Sequence, residues 1–297
     1  MSIFRLPRAS RYFSWGSILT AIYLSAFCVS TEAALRDSNL WWSPPNVTEG
    51  GKEVDALLMF IFGLTTTVFI LVMGTLIYCL FRYQRRPGVP AVYSHGNNTL
   101  EIVWTTVPAL IFIGLWIWSN DAWRKLQNTA NMPEDTLRLE IVAEQYGWHI
   151  RYPGEDGILG NSGDHLYTDE NKLGIDQSDP ASHDDFVTYN EMTIPVNRHV
   201  HILLRSRDVI HAFYVPEFRL YQDTVPGRKI TWLNFRPIAT GRFTIACSQL
   251  CGVGHYNMQA KLNVVTPEEY TAWIKEKQQQ KRATKSISTS QRALASN

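Results

Sequence analysis

Two long apolar runs, residues 54–81 and 100–119, constrain this chain before any other feature does. Each reaches the ~20 residues that a helix needs to cross the hydrocarbon core of a bilayer. The first carries one charge, Asp55, close to its start, and the second carries Glu101 at its start. A buried helical pair in a soluble protein is the alternative, and runs this long with so few charges disfavour it. Arg82, Arg85 and Arg86 lie between them, followed by Pro87-Gly88-Val89-Pro90, which ends any helix. Arginine-rich short loops stay in the cytoplasm. Residues 53–121 therefore predict a two-helix transmembrane hairpin, with everything after about residue 120 outside, which in a bacterium is the periplasm. Tyr78, Tyr83, Trp116, Trp118 and Trp123 suit its interfaces.

Residues 1–34 read as a secretory signal: Arg5, Arg8 and Arg11, an apolar run over 16–28, then small residues near Ala33 and Ala34. Retention as an uncleaved anchor is the alternative. Residues 35–52 read as a short extended periplasmic arm.

Past Pro133 the pattern changes to period two. Residues 136–143 alternate as a half-buried strand does, and further β-rich runs cover 148–152, 200–204, 209–215, 230–235, 242–246 and 260–265. Many short strands at such spacing predict a sandwich or barrel. Residues 154–191 interrupt it with acids such as Asp164, Asp169, Glu170 and Asp185, opposed within the stretch only by Lys172. They read as a solvated loop, or as a surface that steers a basic partner. Residues 267–274 read as a capped helix start, and the Gln-, Lys- and Ser-rich remainder to 297 as a disordered tail.

The loop 247–258 concentrates the chemistry. Cys247, Cys251, His255 and Met258 put two thiols, an imidazole and a thioether into one short loop. Thiolate and thioether select soft copper, and a mononuclear blue-copper site needs one Cys, two His and a weak axial Met. A second Cys allows two thiolates to bridge two copper ions. The missing imidazole has its best candidate in His211, upstream in a β-rich run. A disulfide or a zinc site is the alternative for the same residues. Cys28 and Cys79 lie in apolar runs and read as inert. No C-x-x-C-H occurs, so no covalently attached c-type haem is expected. The formal net charge of +1 argues neither for nor against nucleic acid, and none is expected as a partner.

The pattern C-x-x-x-C-G-x-x-H-x-x-M over 247–258, preceded by D-V-x-H-x-F-x-V-P over 208–216 and D-x-x-P-G-R over 223–228, resembles subunit II of the haem–copper cytochrome c oxidases. The resemblance runs from the first apolar span to about Pro267. It implies a cupredoxin-like Greek-key barrel over 122–267 behind the hairpin. It also implies a binuclear copper (CuA) centre held by His211, Cys247, Gln249 through its carbonyl, Cys251, His255 and Met258. Further implications are partners in oxidase subunits I and III, membrane lipid, and cytochrome c as donor. The resemblance places the chain in the cell inner membrane with the copper domain on the periplasmic side. It gives Glu101 a place near a proton path and sets Asp223 at the subunit I interface.

Two departures from the family pattern stand out. The family's Q-W-x-W stretch, whose first Trp receives electrons, aligns with Gln145-Tyr146-Gly147-Trp148, so Tyr146 and Trp148 are the candidates for that role. Gln249 stands where the family usually has Glu, whose carboxylate also binds a magnesium ion at the subunit interface. A neutral amide is a poorer ligand for that hard cation, which puts the magnesium site in doubt.

The resemblance implies a subunit of a respiratory terminal oxidase. It passes electrons from cytochrome c to haem in subunit I, where oxygen is reduced to water with proton translocation. The chain itself has no oxygen-reducing site. A membrane-tethered copper carrier is the alternative from another class. The related quinol-oxidase subunit lacks the copper ligands, which this chain has.

Overall fold

The computed structural model describes residues 43–295, apart from 92, 94, 128, 130, 131 and 228–230, with side chains described to residue 283. The expected signal peptide, residues 35–42 of the expected arm, Cys28 and Arg228 lie outside the described residues. Leu57–Gly96 belong to one compact unit, and Asn46–Ala56 with the chain from Asn97 onward form another.

Helix α1 spans Gly51–Arg82 and α2 spans Asn98–Gln127. At ~1.5 Å per residue each outruns the ~30 Å hydrocarbon core. Both leave large apolar side chains bare, among them Phe69 and Leu80 on α1 and Phe112 and Trp116 on α2. Such surface suits lipid rather than water. Glu53 and Glu101 in the first turns complement the positive ends of the helix dipoles.

Ten strands follow: β1 Leu137–Glu144, β2 Gly147–Tyr152, β3 Phe186–Tyr189, β4 Glu191–Pro195, β5 Val200–Ser206, β6 His211–Val215, β7 Leu220–Thr224, β8 Thr231–Phe235, β9 Gly241–Cys247 and β10 Gln259–Val265. They form two five-stranded sheets, ordered β3-β2-β1-β5-β8 and β4-β10-β9-β6-β7. The β1–β5 and β4–β10 pairs are parallel, and the others antiparallel. This is the expected cupredoxin-like β domain, built as a sandwich. Leu139, Ile141, Trp148 and Ile150 from the first sheet meet Met192, Ile194, Phe213 and Leu262 from the second in one core.

The alternating pattern of β1 does not leave its other face in water. Glu140 is buried there, beside Arg151 on β2 and Arg205 on β5. The acidic stretch 154–191 covers that face and contributes Asp164 and Asp185 to it. Arg151 Nη1 donates to Glu140 Oε2 at 2.8 Å, and its Nε donates to Asp185 Oδ2 at 2.8 Å. Arg205 pairs with Glu140 at 2.8 Å and with Asp164 at 3.1 Å. Arg207 pairs with Asp169 at 3.0 Å, and Arg282 with Glu155 at 2.5 Å. Reading this stretch as a wholly solvated loop is therefore corrected. Several of its acids are neutralised by arginines that lie elsewhere in the sequence. Its last residues also enter β3 and β4.

Helix α3 spans Pro267–Ala295, so the disordered tail expected from 275 is also corrected. A capping box starts the helix: Thr266 Oγ1 accepts from Glu269 N at 3.3 Å, and Glu269 Oε2 accepts from Thr266 N at 2.9 Å. Trp273 then packs against Tyr152 with ring centroids 5.0 Å apart, and Lys281 Nζ donates to the His183 carbonyl at 2.8 Å. Gln and Lys are good helix formers, and these anchors hold the first turns on the sandwich.

A candidate metal centre in the β9–β10 loop

Strands β9 and β10 pair antiparallel with Ala246 opposite Gln259, so residues 247–258 close one end of the sandwich as a single loop. Strand β6 lies beside β9 with Phe213 opposite Cys247. That register carries His211, two residues earlier on β6, to the loop. The Cys247 N–H donates to the Met258 carbonyl at 3.1 Å and Ser248 N–H to the Ala212 carbonyl at 3.1 Å, which ties both loop ends to the sheet.

Six expected donors converge here. The Cys247 and Cys251 sulfurs are 3.7 Å apart. His211 Nδ1 lies 4.0 Å from Cys247 Sγ, and His255 Nδ1 lies 3.6 Å from Cys251 Sγ. Met258 Sδ is 3.9 Å from Cys251 Sγ, and the Gln249 carbonyl is 3.2 Å from Cys247 Sγ. His211, Cys247, Cys251 and Met258 are buried, while His255 is half-buried. His211, Cys247 and Cys251 alone already form a group able to hold a metal ion. Thiolate, imidazole and thioether donors in one buried cluster fit copper.

The electrostatics favour a thiolate. Burial opposes ionisation of Cys247, but His211, the Ala212 and Gln249 backbone and His255 outweigh it and bring its pKa down to about 6. Burial and the adjacent Cys247 push Cys251 up to about 12. Ionisation is therefore favoured at Cys247 over Cys251. Burial disfavours the charged imidazole of His211, yet the partners Cys247 and Asp208 raise its pKa.

Asp208 is the residue behind His211. Its Oδ1 lies 2.8 Å from His211 Nε2, so the ring donates there and turns Nδ1 toward the thiol. Asp208 Oδ2 accepts the Gln145 backbone N–H at 2.6 Å, and Oδ1 accepts that of Val209 at 2.6 Å. Burial opposes its ionisation, but these bonds hold its pKa below the usual value. Sequence reasoning named Asp208 only as part of a motif. Its spacing three residues before a candidate ligand was the available signal.

The two aromatic candidates separate. Tyr146, in the β1–β2 turn, is 38% exposed and lies over the loop backbone. A Cβ on Gly254 would meet its ring at 2.5 Å. Trp148 is fully buried, with its ring centroid 6.3 Å from that of His211 and 5.7 Å from that of Phe213. Asp223 sits on β7 opposite Ala212, and its Oδ1 accepts from Tyr221 Oη at 3.0 Å. Glu101 is exposed in the first turn of α2.

Fold and site together define a protein with two helices long and apolar enough to cross a membrane, followed in the chain by a cupredoxin-like domain that carries a group able to hold a metal ion. The family described as the periplasmic domain of cytochrome c oxidase subunit II matches residues 137–265, and its transmembrane domain matches 44–121. The alternative cytochrome c oxidase subunit 2 of Bradyrhizobium diazoefficiens is 37% identical over 243 residues, covering 80% of this chain and 84% of the relative. Cytochrome c oxidase subunit 2 of Cereibacter sphaeroides is 31% identical over 243 residues, covering 78% of each. The crystal structure of the periplasmic domain of subunit II of cytochrome oxidase from Bradyrhizobium japonicum is 28% identical. It covers 50% of this chain and 98% of its own, with a TM-score of 0.37. This chain belongs to the cytochrome c oxidase subunit II family, the subunit II of haem–copper oxidases. Membership implies a copper site in the β domain.

Proposed function

We propose that this chain is the subunit through which electrons enter a respiratory terminal oxidase of the cell inner membrane. Its β domain lies on the periplasmic side, receives electrons singly from cytochrome c and passes them to haem in subunit I. Oxygen is reduced to water there, coupled to proton translocation. Subunits I and III are its partners in the membrane.

The observation that carries this reading is the convergence of six donor groups, two of them thiols 3.7 Å apart. Cys247, Cys251, His211, His255, Met258 and the Gln249 carbonyl would hold two copper ions. A copper pair held so supplies reversible one-electron carriage. The chain's own residues do the rest. Asp208 orients His211, the buried ligands exclude water, and the two-sheet scaffold keeps the donors in place. Tyr146 is the surface residue facing the donor, and Trp148 lies behind it against His211. Gln249 lacks the carboxylate that would favour magnesium at the subunit interface. Glu101 sits by a proton path, and Asp223 faces subunit I.

The test is copper content and electron paramagnetic resonance of the purified full-length chain. Two coppers per chain with a seven-line hyperfine pattern, as one electron shared over two copper nuclei gives, would support the reading. One copper with four lines, or colourless Cu(I) alone, would remove it in favour of a membrane-tethered copper carrier.

A further inference from the structure

The β1–β2 turn reaches both halves of the metal centre, which lie far apart in sequence. The Gln145 backbone N–H donates to Asp208 Oδ2 at 2.6 Å, and Asp208 in turn orients His211. The side chain of the same residue points the other way along the site: Gln145 Nε2 donates to the Cys251 carbonyl at 2.6 Å. That carbonyl belongs to the peptide leading into Gly252, where φ is +130° and the loop turns. A Cβ on Gly252 would come within 2.8 Å of Gln145 Nε2 and 2.5 Å of Tyr146 Oη, so the turn and the loop are in close contact there.

We infer that Gln145 is a positioning residue of the metal centre. Its amide pins the backbone of Cys251, and its own N–H pins Asp208 and hence His211. One turn thereby sets the separation of two ligands that are 40 residues apart, before any metal arrives. A main-chain donor alone would hold only the His211 side. The side-chain amide is what couples the second side, and any residue without an N–H at that reach leaves Cys251 held by its loop alone. The inference rests on the copper reading of the site, and it adds a residue outside the six ligands.

The experiment compares the full-length wild-type chain with Gln145→Leu, which keeps the shape and loses the donor, and Gln145→Glu, which sets a carboxylate against the carbonyl. Copper release into an excess of a Cu(I) chelator, the electron paramagnetic resonance spectrum, and the thermal midpoint of the metal-free chain are read for each. Groups that hydrogen-bond to a metal ligand from behind typically contribute 10–100-fold to metal affinity. Release from Gln145→Leu should be faster by about that factor, with Gln145→Glu at least as fast and the copper hyperfine splitting altered in both. The metal-free midpoint should fall by no more than about 4 °C, the size of one hydrogen bond. Wild-type release and spectrum in Gln145→Leu would overturn the inference. So would a large fall in midpoint with an unchanged spectrum, which marks a structural role only. A wild-type chain that binds no copper would instead sink the function proposed for the site.

Discussion

Replacing Arg151 by methionine should destabilise the β domain more than any surface substitution. The Arg151 side chain is wholly buried, and its guanidinium serves two carboxylates at once, Glu140 and Asp185. Glu140 would keep Arg205 at 2.8 Å and the Ser162 hydroxyl at 2.7 Å. Asp185 would keep only the Gly160 N–H at 3.1 Å, with Oδ1 already lacking a hydrogen-bond partner. Burial already raises the pKa of Asp185 against the pull of Arg151, so losing the arginine leaves a buried charge or forces a proton onto it. Removing one member of a buried pair costs about 3–5 kcal/mol. For a domain of this size each kcal/mol moves the midpoint by about 2–4 °C, so a fall of roughly 6–20 °C is expected. Near-ultraviolet circular dichroism of the metal-free chain during heating measures it. Hydrogen exchange over 154–185 should rise in parallel, because Arg151 ties that stretch to the sheet. Arg151→Met combined with Asp185→Leu should recover more than half of the loss, since removing both partners leaves no unpaired charge. A fall under about 3 °C, or a double variant no better than the single, would refute the reasoning and leave packing as the whole effect.

Glu144 gives the pH dependence. Burial opposes its ionisation, yet Lys172, His149 and Arg207 bring its pKa from 4.5 down to about 2. Its folded pKa lies below the unfolded value, so its contribution is complete above 4.5 and is lost as pH falls toward 2. The shift is worth roughly 3 kcal/mol unscreened, and on the order of 1–2 kcal/mol because Lys172 and Arg207 reach solvent. Urea unfolding across that window should show wild type losing this advantage over Glu144→Gln; a constant difference would contradict the assignment. Gly254→Ala drives a Cβ into the Tyr146 ring at 2.5 Å and should cost about 1–3 kcal/mol by overpacking. Gly252→Ala adds a backbone penalty at φ +130° and should be worse, with copper lost from both variants; equal midpoints for wild type and Gly252→Ala would argue against this loop geometry. Tyr146→Ser should slow reduction by cytochrome c in stopped-flow mixing while copper content stays at the wild-type level, and an unchanged rate would remove Tyr146 from the path.

How far the site was legible in sequence follows from where its information lies. Cys247, Cys251, His255 and Met258 share one short loop, and their chemistry speaks without any fold. His211 needed only the inference that a β-rich run can lie beside that loop, and β6 does lie beside β9. Gln145 entered the sequence reading only as part of the Gln145-Tyr146-Gly147-Trp148 stretch, because an amide has no distinctive chemistry until a carbonyl 106 residues away is placed against it. The same logic explains the misread face of the sandwich. Period two told correctly that Leu139 and Ile141 point one way and Glu140 the other, but period two says nothing about what covers the second face. Arg151 and Arg205 occupy outward positions on β2 and β5, and the following stretch is strongly acidic with one lysine of its own. A sheet face carrying arginines beside an insert of opposite charge satisfies both by burying them together, whereas leaving them apart would expose the insert's mutual repulsion. Charge complementarity between a strand's outward face and its neighbouring insert is thus itself a readable signal. It predicts a covered sheet where alternation alone predicts a wet one.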